Sequence, residues 1–122
     1  MGDKSRILLV DDEPNIVKII SRRLIAEGYE VFVAMDGMAA LEKARAENPD
    51  LIILDVMLPK LNGYEVCRQL KQDTRYKKIP IIMLTALAQE SDEEFVLEMG
   101  TDAYIRKPFK AQQLLQKIRE LI

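Results

Sequence analysis

The chain alternates between short apolar runs and longer segments in which apolar residues recur every three or four positions. Three of the runs are continuous and rich in branched side chains, at residues 7–10, 51–54 and 81–84. Such runs are typical of parallel strands that are covered on both faces. Two weaker strands are predicted at residues 29–34 and 103–105, which follow glycines suited to ending a helix.

The segments between the predicted strands have helical spacing. In the last of them, Leu114, Leu115 and Ile118 follow the i, i+3, i+4 rule of an amphipathic helix. Strands that alternate with helices predict an α/β fold, a doubly wound five-stranded parallel sheet with helices on both faces and strand order 2-1-3-4-5. The predicted helices cover residues 14–27, 37–47, 64–72, 91–99 and 110–122.

Length and composition favour one globular domain over residues 1–122, of which 48% are hydrophobic and 31% charged. The net charge of -2 lacks the basic surface that direct binding of a nucleic acid requires. Neither a signal peptide nor a membrane span is predicted, so we expect a cytoplasmic location. Cys67, the only cysteine, is expected to be a buried and unreactive thiol.

Candidate chemistry lies where the predicted strands end. The sequence has no histidine, which excludes Ser-His-Asp and Cys-His nucleophile systems. The carboxyl ends of parallel strands meet at one edge of a sheet, where ligands bind in this fold class. The polar residues predicted there are Asp11 and Asp12 after the first strand, Asp55 after the third, Thr85 after the fourth and Lys107 shortly after the fifth.

Three carboxylates at one edge raise each other's pKa unless a cation binds between them. Oxygen ligands select a hard divalent ion, and so few protein ligands favour Mg²⁺ over Ca²⁺. Mg²⁺ and a lysine supply the positive charge that a transferring phosphoryl group needs, and a carboxylate can act as its nucleophile. We therefore predict that Asp55 accepts the phosphoryl group and that Asp11 and Asp12 hold the metal. Thr85 and Lys107 would contact phosphoryl oxygens.

Each of these side chains also has an ordinary structural explanation. Asp12 or Glu13 could cap the first helix, and Thr85 could be a simple strand-end residue. Lys107 taken alone could be a solvated surface lysine. The prediction of phosphoryl chemistry therefore depends on the joint placement of these residues at successive strand ends.

Four motifs together resemble the receiver domains of two-component signalling. They are Val-Asp-Asp-Glu at residues 10–13, Leu-Asp-Val-Met-Leu-Pro at 54–59, Leu-Thr-Ala at 84–86 and Lys-Pro-Phe at 107–109, and the resemblance covers essentially the whole chain. It implies a flavodoxin-like fold and a histidine kinase or phosphotransfer protein as phosphoryl donor. It also implies that the chain is a signalling phospho-acceptor that catalyses only its own phosphorylation and dephosphorylation.

The resemblance further implies a ligand set. Asp12 and Asp55 would bind Mg²⁺ directly together with the backbone carbonyl of Met57, whereas Asp11 would act mainly through a water. The Lys107-Pro108 peptide bond would be cis.

A conformational switch is implied as well. Thr85 would move toward the phosphoryl group, and Tyr104 would turn into the space that it leaves. The face of the fourth helix, fifth strand and fifth helix would then engage an output domain or protein, or form a phosphorylation-dependent homodimer. Receivers joined to winged-helix domains usually carry an acid where this chain has Ala103, and a basic residue in the fourth helix, the region where this chain has the acidic stretch Ser-Asp-Glu-Glu at 91–94. This difference argues against the charged dimer face of that subfamily.

The first predicted helix has two apolar stripes, and one helix face cannot easily bury both. Val17, Ile20 and Leu24 form the stripe expected in the core. We expect the other to belong to an exposed kinase-docking patch that contains Glu13, Asn15, Ile16, Ile19 and Phe109.

Two apolar side chains, Met57 and Leu87, are expected to flank the phosphoryl group. Neither can orient an attacking water, so we expect slow hydrolysis of the aspartyl phosphate.

Three alternative classes of protein share features with this sequence. A haloacid-dehalogenase-like phosphatase needs an acid two residues after its nucleophile, where this chain has Met57, and also needs room for a cap domain. A flavodoxin needs a hydroxyl- and glycine-rich phosphate loop where this chain has the acidic residues 11–13. A pseudo-receiver that keeps the fold without the chemistry remains an alternative. The sequence is compatible with a stand-alone receiver or with a receiver taken from a longer protein.

Overall fold

Five strands and four helices lie within residues 4–86 and 100–122, the parts of the chain that the computed structural model describes. The strands are β1 Arg6–Val10, β2 Glu30–Ala34, β3 Leu51–Asp55, β4 Ile81–Thr85 and β5 Ala103–Arg106. The helices are α1 Pro14–Ala26, α2 Gly37–Glu47, α3 Gly63–Gln72 and the C-terminal helix Ala111–Leu121. Each agrees with its predicted bounds to within one residue. The helix predicted at residues 91–99 lies outside the described residues.

The strands form one parallel sheet in the order β2-β1-β3-β4-β5, as predicted. The order reverses between β1 and β3, which are neighbours at the centre of the sheet. Val10 pairs with Leu54 in their register. The residues that follow, Asp11 and Asp55, therefore emerge side by side at the carboxyl edge.

Both faces of the sheet are covered. One packs against α2 and α3, and the other against α1 and the C-terminal helix. In β1, Leu8 and Val10 belong to the first core while Ile7 and Leu9 belong to the second. Because β3 and β4 are buried along their whole length, they read as continuous apolar runs instead of alternating ones. No helix in the described part of the chain is both long and apolar enough to span a membrane.

Cys67 lies on α3 within the first core as a fully buried thiol that is not part of a disulfide. Burial raises its pKa to about 11. The thiol therefore stays protonated near neutral pH, as expected for an unreactive core cysteine.

A polar cluster fastens the opposite edge of the sheet. The ammonium of Lys71, near the end of α3, lies 2.9 Å from a carboxylate oxygen of Asp102 and donates to the carbonyls of Lys77 (3.2 Å) and Ile79 (2.9 Å). The same Asp102 oxygen accepts from the backbone N–H of Ile81 at 2.8 Å. Lys71 thereby joins α3, the start of β4 and the turn before β5.

We predict that Lys71→Met lowers the free energy of unfolding by about 2 kcal/mol, because charged hydrogen bonds are lost while the aliphatic chain is kept. Arg75→Met is the matched control. Arg75 pairs with Asp73 at the surface and is 72% exposed, so its loss should cost under about 1 kcal/mol. Urea denaturation followed by circular dichroism measures both. Equal losses would contradict a special role for Lys71.

Candidate functional site

The three predicted metal carboxylates lie together at the carboxyl edge of the sheet. One carboxylate oxygen from each of Asp11, Asp12 and Asp55 can be chosen so that all lie within 4.8 Å of one another. Asp11 is fully buried and Asp55 is 5% exposed, whereas Asp12 is exposed to solvent. Two buried acids and one solvent-facing acid therefore share a small volume.

Lys107 stands between the two buried carboxylates. Its Nζ lies 3.2 Å from Oδ2 of Asp11 and 3.2 Å from Oδ2 of Asp55. The backbone N–H of Lys107 donates to the carbonyl of Thr85 at 2.7 Å, which ties the segment after β5 to the end of β4. The Lys107-Pro108 peptide bond is cis, as predicted.

Backbone amides hold the other oxygens of the buried pair. Oδ1 of Asp11 accepts from the N–H of Glu13 at 3.1 Å, and Oδ1 of Asp55 accepts from the N–H of Met57 at 3.3 Å. Each carboxylate is thus fixed by its own loop through one oxygen and faces Lys107 with the other. Short side chains held in this way need little rearrangement to bind a ligand.

The electrostatics of the site are dominated by burial and by like charge. Burial raises the pKa of Asp55, and the neighbouring Asp11 raises it further, against the opposing effect of Lys107. For Lys107 itself, burial acts to lower the pKa, but attraction to Asp55 and Asp11 outweighs it and the pKa is raised. One ammonium therefore does not fully compensate the carboxylates, and an additional cation would favour the ionised form of Asp55.

The donor set fits Mg²⁺. Carboxylate oxygens are hard ligands, and three protein groups leave room for the waters that this ion keeps. Asp11, Asp12 and Asp55 are the side chains that could hold it. Met57 follows Asp55 by two residues and is 74% exposed. Its backbone carbonyl stays a predicted ligand.

The predicted switch residues lie on the neighbouring strands. Thr85 is buried at the end of β4. Tyr104 is half-buried on β5, where it pairs in register with Met83 and packs against the core on the α2 and α3 side. Their motion on phosphorylation stays a prediction. Leu87 and the acidic stretch at residues 91–94 lie outside the described residues.

The two apolar stripes of α1 separate partly as predicted. Ile20 and Leu24 are buried in the core and Ile19 is 66% exposed, but Val17 is only half-buried and Ile16 packs partly against the core. Ile16 is therefore less exposed than the stripe pattern suggested, because α1 is rotated so that the stripe boundary falls between Ile16 and Ile19.

An apolar groove of about 400 Å³ lies between α1 and the C-terminal helix, and Lys107 is among the residues that line it. Three members of the predicted docking patch line it, Ile16, Ile19 and Phe109, while Glu13 and Asn15 are exposed at the start of α1 outside its lining. Arg23 also lines the groove but was not part of the predicted docking patch, although its position one helical turn beyond Ile19 could have indicated it. The rest of the lining comprises Ile20, Leu24, Pro108, Ala111, Leu114 and Leu115.

Comparison with known proteins agrees with this geometry. A family model for the response regulator receiver domain matches residues 7–119. The alkaline phosphatase synthesis transcriptional regulatory protein PhoP of Bacillus subtilis is 47% identical over 117 residues, which cover 96% of this chain and 48% of PhoP. The chain spans about half the length of the curated relatives that it matches.

Solved structures share the whole fold. The chemotaxis protein CheY4 of Vibrio cholerae is similar with a TM-score of 0.90 and 33% identity, over 98% of this chain and 99% of CheY4. The receiver domain of the sensor histidine kinase PA1611 from Pseudomonas aeruginosa is similar with a TM-score of 0.88 and 35% identity, over 97% of each chain. That structure has a magnesium ion coordinated in its active site cleft.

A match along nearly the whole sequence and a shared fold thus lead to one conclusion: this chain belongs to the response regulator receiver domains and serves in two-component signalling.

Proposed function

We propose that the receiver takes a phosphoryl group from a phosphohistidine onto Asp55, with Mg²⁺ held by Asp11, Asp12 and Asp55. One observation carries this proposal. The buried Asp55 carboxylate lies 3.2 Å from the Lys107 ammonium inside a compact carboxylate cluster. A nucleophile, a cation and a set of candidate metal ligands are therefore combined at one edge of the sheet.

In the transfer step, a carboxylate oxygen of Asp55 attacks phosphorus and forms a P–O bond. The P–N bond to the donor imidazole breaks, its electron pair stays on nitrogen, and an acyl phosphate results. Lys107 moves its contact from the carboxylates to a phosphoryl oxygen, and the Thr85 hydroxyl donates to another. Bound Mg²⁺ supplies positive charge that stabilises the transition state. The backbone N–H of Met57 donates to Asp55 and keeps the loop that follows β3 aligned with this carboxylate.

The response follows from the same rearrangement. Movement of Thr85 toward the phosphoryl group would let Tyr104 turn inward and change the surface around β5 and the C-terminal helix. This surface, with residues 91–99, would contact an output domain or protein or support a homodimer. PhoP is named as a transcriptional regulatory protein, so we propose transcriptional output in the cytoplasm, with DNA contacts made outside this receiver.

For the phosphoryl donor we propose a helical histidine kinase or phosphotransfer protein that docks in the groove beside α1. The groove is apolar and is lined in part by Lys107, which lies 3.2 Å from Asp55, so apolar side chains of a partner helix would place the donor histidine near Asp55. Exposed Glu13 and Asn15 would add polar contacts at the rim.

The alternatives account for less of the site. A phosphatase lacks its second acid at Met57, and a pseudo-receiver would not need the paired contacts of Lys107 with Asp11 and Asp55. Transfer without turnover of a separate substrate is therefore the activity that we propose.

Incubation with Mg²⁺ and acetyl phosphate should add one phosphoryl group to the intact protein, as measured by mass spectrometry. The gain should vanish in Asp55→Asn, fall sharply in Asp12→Ala and be lost when EDTA removes the metal. Glu42→Ala, which changes an exposed acid on α2, should label like the wild type. A wild type that stays unlabelled under these conditions, with the metal and donor shown to be active on another receiver, would overturn the proposed chemistry.

Ile19→Ala should slow transfer from a cognate kinase by roughly tenfold, as expected when an apolar contact worth about 1.4 kcal/mol is lost at an interface. Labelling by acetyl phosphate should not change, because that small donor does not use the groove. Ile25→Ala is the matched control, since Ile25 is also on α1 and is 57% exposed but does not line the groove. Equal slowing by both variants would argue against the docking site.

Met57→Asn should shorten the lifetime of the aspartyl phosphate, because a carboxamide at this exposed position can orient the attacking water. Met57→Leu keeps the apolar bulk and should decay like the wild type. The measurement is loss of the phosphorylated mass over time after the donor is removed. Decay of the Asn variant at the wild-type rate would refute the prediction.

A further inference from the structure

The connection between β2 and α2 is packed against the acceptor loop, which we define as residues 56–62 between β3 and α3. The backbone N–H of Gly37 donates to the carbonyl of Pro59 at 3.2 Å. A Cβ added at Gly37 would lie 1.8 Å from the carbonyl oxygen of Leu61, far closer than van der Waals contact allows. The N-terminus of α2 and the acceptor loop therefore meet backbone to backbone, with no space for a side chain.

The loop is tightly turned at this contact. Lys60 has a φ of +67°, a left-handed conformation that is unfavourable for residues other than glycine. The N–H of Leu61 donates to the carbonyl of Pro59 at 2.7 Å. The Lys60 ammonium lies 3.6 Å from a carboxylate oxygen of Asp36, which caps α2 by accepting from the N–H of Ala39 at 2.7 Å. Contacts with the start of α2 thus help to hold the turn in an unfavourable conformation.

Both ends of the acceptor loop are fixed as well. The N–H of Val56 donates to the carbonyl of Leu84 at 3.0 Å, and the N–H of Gly63 donates to the carbonyl of Val56 at 2.9 Å. If a side chain added at position 37 pushed the turn outward, these two hydrogen bonds would confine the movement to the residues between them. Met57 is among those residues, and its N–H contacts Asp55 at 3.3 Å.

We propose that Asp36 and Gly37 are positioning residues for the metal site, acting through the acceptor loop although neither is a predicted ligand. The inference rests on the proposed function, because it requires that Asp55 and the Met57 carbonyl help to bind Mg²⁺. If the start of α2 holds the loop in its metal-binding position, bound Mg²⁺ must in turn stabilise the contact between Gly37 and Pro59.

The test is a Mg²⁺ titration of the full chain, followed by backbone amide NMR, for the wild type, Gly37→Ala and Gly28→Ala. Gly37→Ala should weaken Mg²⁺ binding by about tenfold or more, the range found when groups outside the ligand shell are changed. Gly28→Ala is the control. Its φ of +95° strains alanine too, but nothing lies within 4 Å of the added Cβ, so stability should fall without a change in Mg²⁺ affinity.

A second readout is the wild-type amide signal of Gly37, which should shift with the same Mg²⁺ midpoint as that of Asp55. If Gly37→Ala does not fold, the wild-type shift alone tests the inference. A Gly37 signal that stays constant during the Mg²⁺ titration would then overturn it. Wild-type affinity in a folded Gly37→Ala, or equal weakening in Gly28→Ala, would overturn it while leaving the proposed function intact. A wild type in which Mg²⁺ moves no signal would instead overturn the proposed function, and this inference with it.

Discussion

The mutual repulsion of Asp11 and Asp55 is the constraint on which the rest of this site depends. The reversal of strand order places β1 beside β3, so these carboxylates emerge next to each other where little water reaches them. Buried like charges are unfavourable, and Lys107 offsets only part of the cost. A divalent cation bound between the carboxylates would relieve this repulsion, which is the physical basis of the proposed Mg²⁺ site.

The surrounding structure supplies the rigidity that such a charged cluster needs. β3 and β4 are buried on both faces, so the strand ends that carry Asp55 and Thr85 cannot shift without disturbing two cores. The backbone bond from Lys107 to Thr85 fixes the cation relative to β4. Glycine at position 63 lets α3 begin against the backbone of Asp55, because a Cβ there would lie 2.2 Å from its carbonyl oxygen.

Much of this could be predicted from sequence because it follows from local periodicity and from strand order. Apolar runs located the strands. The polar residues at the ends of the first, third and fifth strands then identified Asp11, Asp55 and Lys107 as candidate site residues. Contacts that join distant segments left no such signal. The Lys71–Asp102 ion pair and the close approach of Gly37 to the acceptor loop depend on how helices sit on the sheet. The half-burial of Ile16 likewise depends on the rotation of α1, which a stripe pattern does not determine.

Charge balance connects binding to switching. The cluster of three carboxylates and the Lys107 ammonium have a formal surplus of two negative charges, which one divalent cation would cancel. In the proposed reaction, phosphorylation would replace the single charge of Asp55 with a phosphoryl group of nearly two charges. The site would then have more negative oxygens than Lys107 and the metal could satisfy, and the buried Thr85 is the hydroxyl at the neighbouring strand end that could donate to them. Motion of Thr85 is thus the expected electrostatic response to the new charge. Because β5 is the neighbour of β4, it is the next strand that this motion would displace.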